Sequence, residues 1–122
     1  MPISDAEAVV MEVLWERHPL GADEVVAALA HSDWAEPTIK TLLNRLLNKG
    51  VIRAAKDGRR YLYSPVLARE AWIAQQSEGL VQRLFGGRVA PLVAHFSHQG
   101  ALSKADIAEL RKLLEEIDDD PA

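Results

Sequence analysis

The sequence predicts a mainly α-helical fold that contains one small β-hairpin, and three observations lead to this prediction. Apolar residues recur at helical spacing in several segments, capping residues mark where helices begin, and two β-prone runs flank Asp57-Gly58. The chain has 122 residues, of which 48% are hydrophobic and 26% are charged. This length and composition fit one ordinary domain, or a small domain with an accessory segment.

The first two helices are marked by their N-terminal residues. Ser4, followed three residues later by Glu7, forms a capping box and predicts a helix from Asp5 to about Arg17. The segment "PLG" then predicts a break, because proline and glycine interrupt regular structure. Acidic residues and an apolar face in "ADEVVAALA" predict a short second helix after that break.

A third helix is predicted in "PTIKTLLNRLLNKG", where Pro37 suits the first turn and Gly50 suits the end. Its leucines and isoleucine form one stripe suited to burial. The opposite face has no acidic residue among its members, which are Lys40, Thr41, Asn44, Arg45 and Asn48. Three short helices with a short link between the second and third predict a helix-turn-helix.

The segment "VIRAAKDGRRYLYSPV" predicts a hairpin directly after the third helix, with Asp57-Gly58 as the turn and Arg59 and Arg60 at the tip. A hairpin in this position extends a helix-turn-helix to a winged helix. The sequence therefore predicts a winged helix-turn-helix domain over residues 1–66.

Residues 67–122 are predicted to form a helical dimerisation domain. Its helices lie in "AREAWIAQQSEGLVQRLFGG", in "RVAPLVAHFS", expected to form about two turns, and in "LSKADIAELRKLLEEI", which Ser103 and Asp106 cap. These segments carry more apolar surface than they could bury alone, so a homodimer is the most economical prediction. The alternative is that they fold back onto the same chain. The predicted dimer contacts are Trp72, Ile73, Leu80, Leu84, Phe85, Leu92, Phe96, Ile107, Leu110 and Leu114.

Charge is distributed unevenly along the chain and predicts a DNA-binding face. The net charge is −4, yet residues 36–65 carry seven basic residues against two acidic ones. Arg45 can bridge two acceptors on guanine, Asn44 can pair with adenine, and Thr41 can contact a thymine methyl group. Two alternatives remain open, namely a solvated basic face and a winged helix used for protein contact. The residues predicted to contact double-stranded DNA are Thr38, Lys40, Thr41, Asn44, Arg45, Asn48, Lys49, Lys56, Arg59 and Arg60.

Several classes of function are disfavoured. The absence of cysteine excludes disulfides, thiolate zinc sites and a cysteine nucleophile. His95 and His98 lack a nearby third ligand, so no metal or other cofactor is expected. The chain has no nucleophile elbow and no phosphate-binding glycine loop, so it is not expected to be an enzyme. No apolar run is long enough for membrane insertion, and the basic start of a secretory signal is absent, which predicts a soluble, cytoplasmic protein.

Three segments, "ISDAEAVVMEVLWERHPLGADEVVAAL", "TIKTLLNRLLNKGVI" and "DGRRYLYSPV", resemble in this order the penicillinase-repressor family, the BlaI/MecI/CopY type of bacterial transcriptional regulators. The resemblance extends from about Ile3 to Ile117. It implies a dimer that occupies a palindromic operator and represses transcription. Members of this family commonly repress β-lactamase or penicillin-binding-protein genes, and a membrane sensor-protease signal leads to their cleavage in the C-terminal part.

The sequence departs from this family's pattern at three places. Antibiotic-responsive members are cleaved at an Asn-Phe bond, whereas the matching bond here is His95-Phe96, so poor cleavage by such a system is expected. The copper-responsive branch binds its metal through C-terminal cysteines, which this chain lacks, and copper sensing by that route is therefore excluded. Pro37 immediately precedes Thr38, where the family more often has an earlier Ser-Pro pair, and this points to a different first turn of the third helix.

Overall fold

The computed structural model describes residues 2–119 and confirms a mainly helical fold with one small sheet. Within these residues it contains six α-helices and three β-strands. In chain order they are α1 (Asp5–Glu16), β1 (Leu20–Gly21), α2 (Ala22–Ala28), α3 (Glu36–Asn48), β2 (Ile52–Asp57), β3 (Arg60–Pro65), α4 (Arg69–Phe85), α5 (Val89–His98) and α6 (Lys104–Asp118).

Capping interactions explain where two of the helices begin, as the sequence predicted. The Ser4 hydroxyl accepts a hydrogen bond from the Glu7 amide at 3.1 Å, and the Ser4 amide donates to the Glu7 carboxylate at 2.9 Å. Ser103 and Asp106 form the same reciprocal pair at the start of α6, with distances of 3.1 and 3.0 Å. Each capping box satisfies amides that the first helical turn leaves without intrahelical partners.

The three strands form an antiparallel sheet in the order β1-β3-β2. The hairpin is confirmed, but the predicted turn position was wrong by one residue, because Asp57 pairs with Arg60 and the loop is therefore Gly58-Arg59. Gly58 has a φ of +66° and Arg59 does not have a positive φ, which corresponds to a type II′ turn. Strand β1, which was not predicted, pairs with the centre of β3.

The hydrophobic core is built by α1, α2 and α3, and it confirms the apolar stripe predicted for α3. On α3, the buried residues are Ile39, Leu42, Leu43 and Leu46. The remaining buried hydrophobic residues are Val10, Met11 and Leu14 of α1, Val25 of α2, and Leu20, Leu29 and Ile52 nearby. Burial of one face fixes the rotation of α3 and leaves its opposite face in solvent.

The chain divides into two compact units between Ala74 and Gln75, later than the predicted boundary after residue 66. We call residues 2–74 the winged-helix unit and residues 75–119 the C-terminal unit. The start of α4 belongs to the winged-helix unit because the Trp15 indole N–H donates to the Leu67 carbonyl at 2.8 Å, and because the Trp15 and Trp72 ring centroids lie 5.5 Å apart. Trp72, which was predicted to contact a second chain, therefore packs within the winged-helix unit.

The C-terminal unit contains the rest of α4, together with α5 and α6, and none of these helices has a buried residue. Helix α5 is longer than the two turns predicted, and Pro91 lies in its first turn. The Phe85 and His95 rings lie 6.2 Å apart. Between residues 2 and 119, no helix is both long and apolar enough to cross a membrane. The exposed large apolar residues of this unit include Leu80, Leu84, Phe96, Ile107, Leu113, Leu114 and Ile117.

Candidate nucleic-acid interface

The exposed face of α3 brings together residues predicted to contact DNA. Thr41, Asn44, Arg45 and Asn48 are all exposed, and their spacing of three and four residues places them side by side. Thr38 is exposed in the first turn of the same helix. A helix with one buried apolar face and one exposed face of hydrogen-bonding side chains has the form that enters a major groove.

Arg45 has no ion pair and no side-chain hydrogen bond with any residue in the range 2–119. Its guanidinium fork is therefore available for two acceptors on one base edge. The Thr41 hydroxyl donates to the Pro37 carbonyl at 2.9 Å. That hydrogen bond uses the hydroxyl within the helix and leaves the Thr41 methyl group as the part suited to apolar contact.

The edge of this face carries a carboxylate. The Lys40 ammonium lies 3.3 Å from the Glu36 carboxylate, one turn earlier on α3, and both side chains are exposed. Glu36 lies just before the segment whose polar face was predicted from the sequence, so this ion pair was missed. The i, i+4 spacing of Glu and Lys was the signal that could have revealed it.

Lys49 was predicted to contact DNA, but its ammonium group is bound within the protein. Its ammonium binds the Glu7 carboxylate and also donates to the Pro2 carbonyl at 2.8 Å. The Lys49 side chain is only 18% exposed and that of Glu7 is 2% exposed. The predicted role of Lys49 in phosphate contact is therefore replaced by a structural ion pair that joins the end of α3 to α1.

The environment of Glu7 explains why Lys49 is retained in this pair. Burial alone raises the pKa of the Glu7 carboxyl group, but hydrogen bonds from Lys49 and Ser4, together with the charge of Lys49, lower that pKa below its ordinary value. Glu7 is therefore ionised at neutral pH. A buried carboxylate without its cation would be strongly unfavourable, so Lys49 is held near Glu7.

The wing supplies further basic side chains. Lys56 and Arg59 are exposed and form no ion pair with any residue described in the structure, and Arg53 on β2, which was not singled out from the sequence, is similarly placed. Arg60 differs, because its guanidinium lies 3.2 Å from the Glu24 carboxylate of α2. The hairpin therefore presents unpaired cations at its loop and along β2, and one paired cation at the start of β3.

The arrangement can bind an extended polyanion and read a groove. Within residues 2–119, no three histidine, aspartate or glutamate side chains are grouped closely enough to hold a metal ion. His95 and His98 both lie on α5, in the other unit. Seven basic and two acidic residues in the span 36–65 give this part of the winged-helix unit a positive charge.

Comparison with known proteins identifies a matching family and several relatives of this chain. The family model described as the penicillinase repressor matches residues 3–116. The penicillinase repressor of Bacillus licheniformis is 36% identical over 115 residues, covering 93% of this chain and 90% of that protein. The methicillin resistance regulatory protein MecI of Staphylococcus aureus (strain N315) is 30% identical over 113 residues, covering 92% of each. The solution structure of monomeric Bacillus licheniformis BlaI in complex with the blaP half-operator is 36% identical, with a TM-score of 0.52, covering 58% of this chain and 88% of that one.

Proposed function

This chain belongs to the penicillinase repressor family, and from that premise we propose that it is a sequence-specific DNA-binding transcriptional repressor that acts as a homodimer on a palindromic operator. The observation that carries the proposal is the exposed face of α3, which holds hydrogen-bonding side chains opposite the buried stripe. The related BlaI structure was solved in complex with a half-operator, which supports the same role for this winged helix.

In this proposal α3 enters the major groove. Arg45 and Asn44 hydrogen-bond to base edges, and the methyl group of Thr41 contacts a thymine methyl group. Thr38, Lys40 and Asn48 contact phosphates at the edges of the groove. The wing follows the neighbouring backbone through Lys56, Arg59 and Arg60, of which Arg60 is paired with Glu24. Lys49 has no part in DNA contact because Glu7 holds it.

The C-terminal unit supplies the homodimer in this proposal. Its large apolar side chains remain exposed in the single chain, up to 69% for Ile117, and a second copy would bury them. A symmetric dimer presents two copies of α3 to two half-sites, which is why a palindromic operator is expected. The proposed contacts are Ile73, which is 37% exposed on α4, and the predicted residues that lie in this unit, namely Leu80, Leu84, Phe85, Leu92, Phe96, Ile107, Leu110 and Leu114.

Membership of the family also suggests what the repressor controls. We propose β-lactamase or other antibiotic-response genes as its targets, with a membrane sensor-protease system as the source of the inducing signal and the cytoplasm as its site of action. The bond that matches the family's cleavage point, His95-Phe96, lies within α5. Since His95 replaces the asparagine of the cleaved members, we expect induction to depend less on cutting at this bond.

A salt titration tests DNA binding directly. A duplex selected by the full chain from a random library should bind tightly, and log K should fall linearly with log salt, by about 0.9 for each phosphate neutralised. A matched random duplex should bind far more weakly at the same salt concentration. Absence of binding, or binding without salt dependence, would contradict the proposal and favour a winged helix used for protein contact.

A further inference from the structure

We propose that Glu24 and Glu36 restrain binding to non-specific DNA by occupying two of the cations that face the nucleic acid, Arg60 and Lys40. This inference rests on the proposed function and concerns the same surface. It assigns the two carboxylates a role in limiting phosphate-dependent affinity, although neither would be expected to contact a base.

Glu36 stands at the start of α3, the helix proposed to enter the groove. Its carboxylate lies 3.3 Å from the Lys40 ammonium, and the two side chains are 57% and 53% exposed. A phosphate that approaches Lys40 therefore meets an existing counter-ion and also the negative charge of that counter-ion. Both effects weaken the phosphate contact, and they act whatever the base sequence.

Glu24 holds the corresponding cation at the base of the wing. One of its carboxylate oxygens accepts a hydrogen bond from the Gly21 amide at 3.0 Å and also lies 3.2 Å from the Arg60 guanidinium. The first contact caps the start of α2, so the carboxylate is positioned before any ligand binds. Arg60 is then drawn towards α2, while Arg59 in the loop keeps no such partner among residues 2–119.

Operator binding and non-specific binding depend on different sets of contacts. Non-specific binding takes essentially all of its free energy from phosphate contacts, whereas operator binding adds base contacts such as those expected of Arg45. Weakening two phosphate contacts therefore lowers both affinities by a similar factor, but it leaves the operator complex its base contacts. The two carboxylates therefore limit how tightly the chain holds any duplex, including the non-specific sites that greatly outnumber operators.

The test uses the full chain, a labelled random-sequence duplex and the variants E36Q and E24Q. Glutamine keeps a side-chain oxygen that can accept from the Gly21 amide, so the cap of α2 is retained. Each variant should bind the random duplex about two- to fivefold more tightly than the parent protein, and its dependence of log K on log salt should be steeper. Because both complexes use these phosphate contacts, operator affinity should rise by a similar factor and the ratio of operator to random affinity should stay nearly unchanged.

A matched control separates this effect from the change in net charge. Glu12 and Arg69 form an ion pair of the same kind, 3.1 Å apart and 47% and 54% exposed, which involves none of the proposed DNA-binding residues. E12Q removes the same charge and should leave affinity for the random duplex nearly unchanged. Thermal unfolding of all variants verifies that they remain folded, and E36Q alone can decide the question should E24Q weaken α2.

A double-mutant cycle tests whether each carboxylate acts through its cation. In a protein that carries K40M, E36Q should no longer raise affinity for the random duplex. In a protein that carries R60M, E24Q should likewise have no effect on that affinity. The inference is overturned if E36Q and E24Q raise affinity for the random duplex no more than E12Q does, or if the increase in affinity persists in proteins that lack the cation. A loss of affinity in E36Q would also overturn it, because it would indicate that Glu36 contacts a base directly. Failure of the parent protein to bind either duplex would instead overturn the proposed function, and this inference would fall with it.

Discussion

The winged-helix unit and the C-terminal unit differ in where they place their apolar side chains. Every buried hydrophobic residue of the described core lies between Val10 and Ile52, inside the winged-helix unit. Helices α5 and α6 have no buried residue, and Leu114 and Ile117 are 63% and 69% exposed. The first unit can therefore stabilise itself, whereas the second carries apolar surface that we propose a second copy covers.

The largest effect should come from disrupting the proposed dimer contact. Replacing Leu84 and Leu114 together by aspartate places charges in that contact, so the chain should become monomeric and its affinity for a palindromic operator should fall by about 100-fold or more. Sedimentation and DNA-binding isotherms measure the two effects. The control is V66D, at an exposed apolar residue of the winged-helix unit, which should leave the dimer intact. A double variant that still dimerises and binds normally would contradict the proposed contact.

The same substitution, leucine to alanine, should have different consequences in the two units. L46A removes a fully buried side chain and should lower the free energy of unfolding of the winged-helix unit by about 2–5 kcal/mol. L114A should leave that free energy unchanged and should weaken dimerisation instead, because Leu114 is mostly exposed in the single chain. Urea denaturation at several protein concentrations distinguishes these effects. If L46A and L114A lowered the free energy of unfolding of the winged-helix unit equally, the proposed difference between the two units would be wrong.

The ion pair between Lys49 and Glu7 should matter more for folding than for DNA contact. K49M leaves the buried Glu7 carboxylate without its cation, and it should lower the free energy of unfolding by about 2–3 kcal/mol at neutral pH. The parent protein holds the Glu7 pKa below its ordinary value, so this stabilisation is present above that ordinary value and is lost as pH falls through the lowered pKa. The difference between parent and variant should therefore shrink on acidification. A stability difference between parent and K49M that does not change with pH would contradict the assignment of this stabilisation to the pair of Glu7 and Lys49.

Within the winged-helix unit, α3 and the wing should fail differently. R45A should cost about 1–3 kcal/mol on the operator and much less on random DNA. R59A should weaken binding to both duplexes similarly and should reduce the dependence of log K on log salt by about one unit for each phosphate that the protein no longer neutralises. Isotherms at several salt concentrations measure both. Should R59A alone change sequence preference, α3 would not be the element that reads the bases.

The smallest expected effect concerns cleavage of the C-terminal unit. His95-Phe96 lies within α5, and His95 stands where the cleaved members of the family have asparagine. Exposure of the native host to a β-lactam should therefore give little of the fragment ending at His95, as detected by immunoblotting. H95N supplies the comparison and should be cut faster. Rapid appearance of that fragment from the unaltered protein would contradict the expectation.

Local signals in the sequence were sufficient to predict most of the fold. The capping pairs at Ser4 and Ser103, the stripe of α3 and the hairpin glycine each depend on neighbouring residues, and the structure confirms them. Strand β1 was missed because it has only two residues and exists through pairing with β3. The two compact units divide later than the predicted boundary because the contact between Trp15 and Trp72, residues distant in sequence, joins the start of α4 to the winged-helix unit.

The candidate site was predictable in its composition but not in its internal pairing. Helical spacing correctly placed Thr41, Asn44 and Arg45 on one exposed face. It could not reveal that Lys49 faces Glu7, or that Arg60 faces Glu24, because these pairs join different elements of the fold. Charge counted along a sequence therefore overestimates the number of cations available to DNA.

The most direct test of the contrast between the two units is sedimentation equilibrium of the full chain and of a fragment ending at Ala74. The fragment retains the contacts of Leu67, Arg69 and Trp72 with α1 and should be a folded monomer. The full chain, at micromolar concentration, should sediment as a dimer with twice the 13.5 kDa mass of one chain. A full-length monomer, or a dimeric fragment, would contradict the claim that one unit is self-sufficient and the other is completed by a second copy.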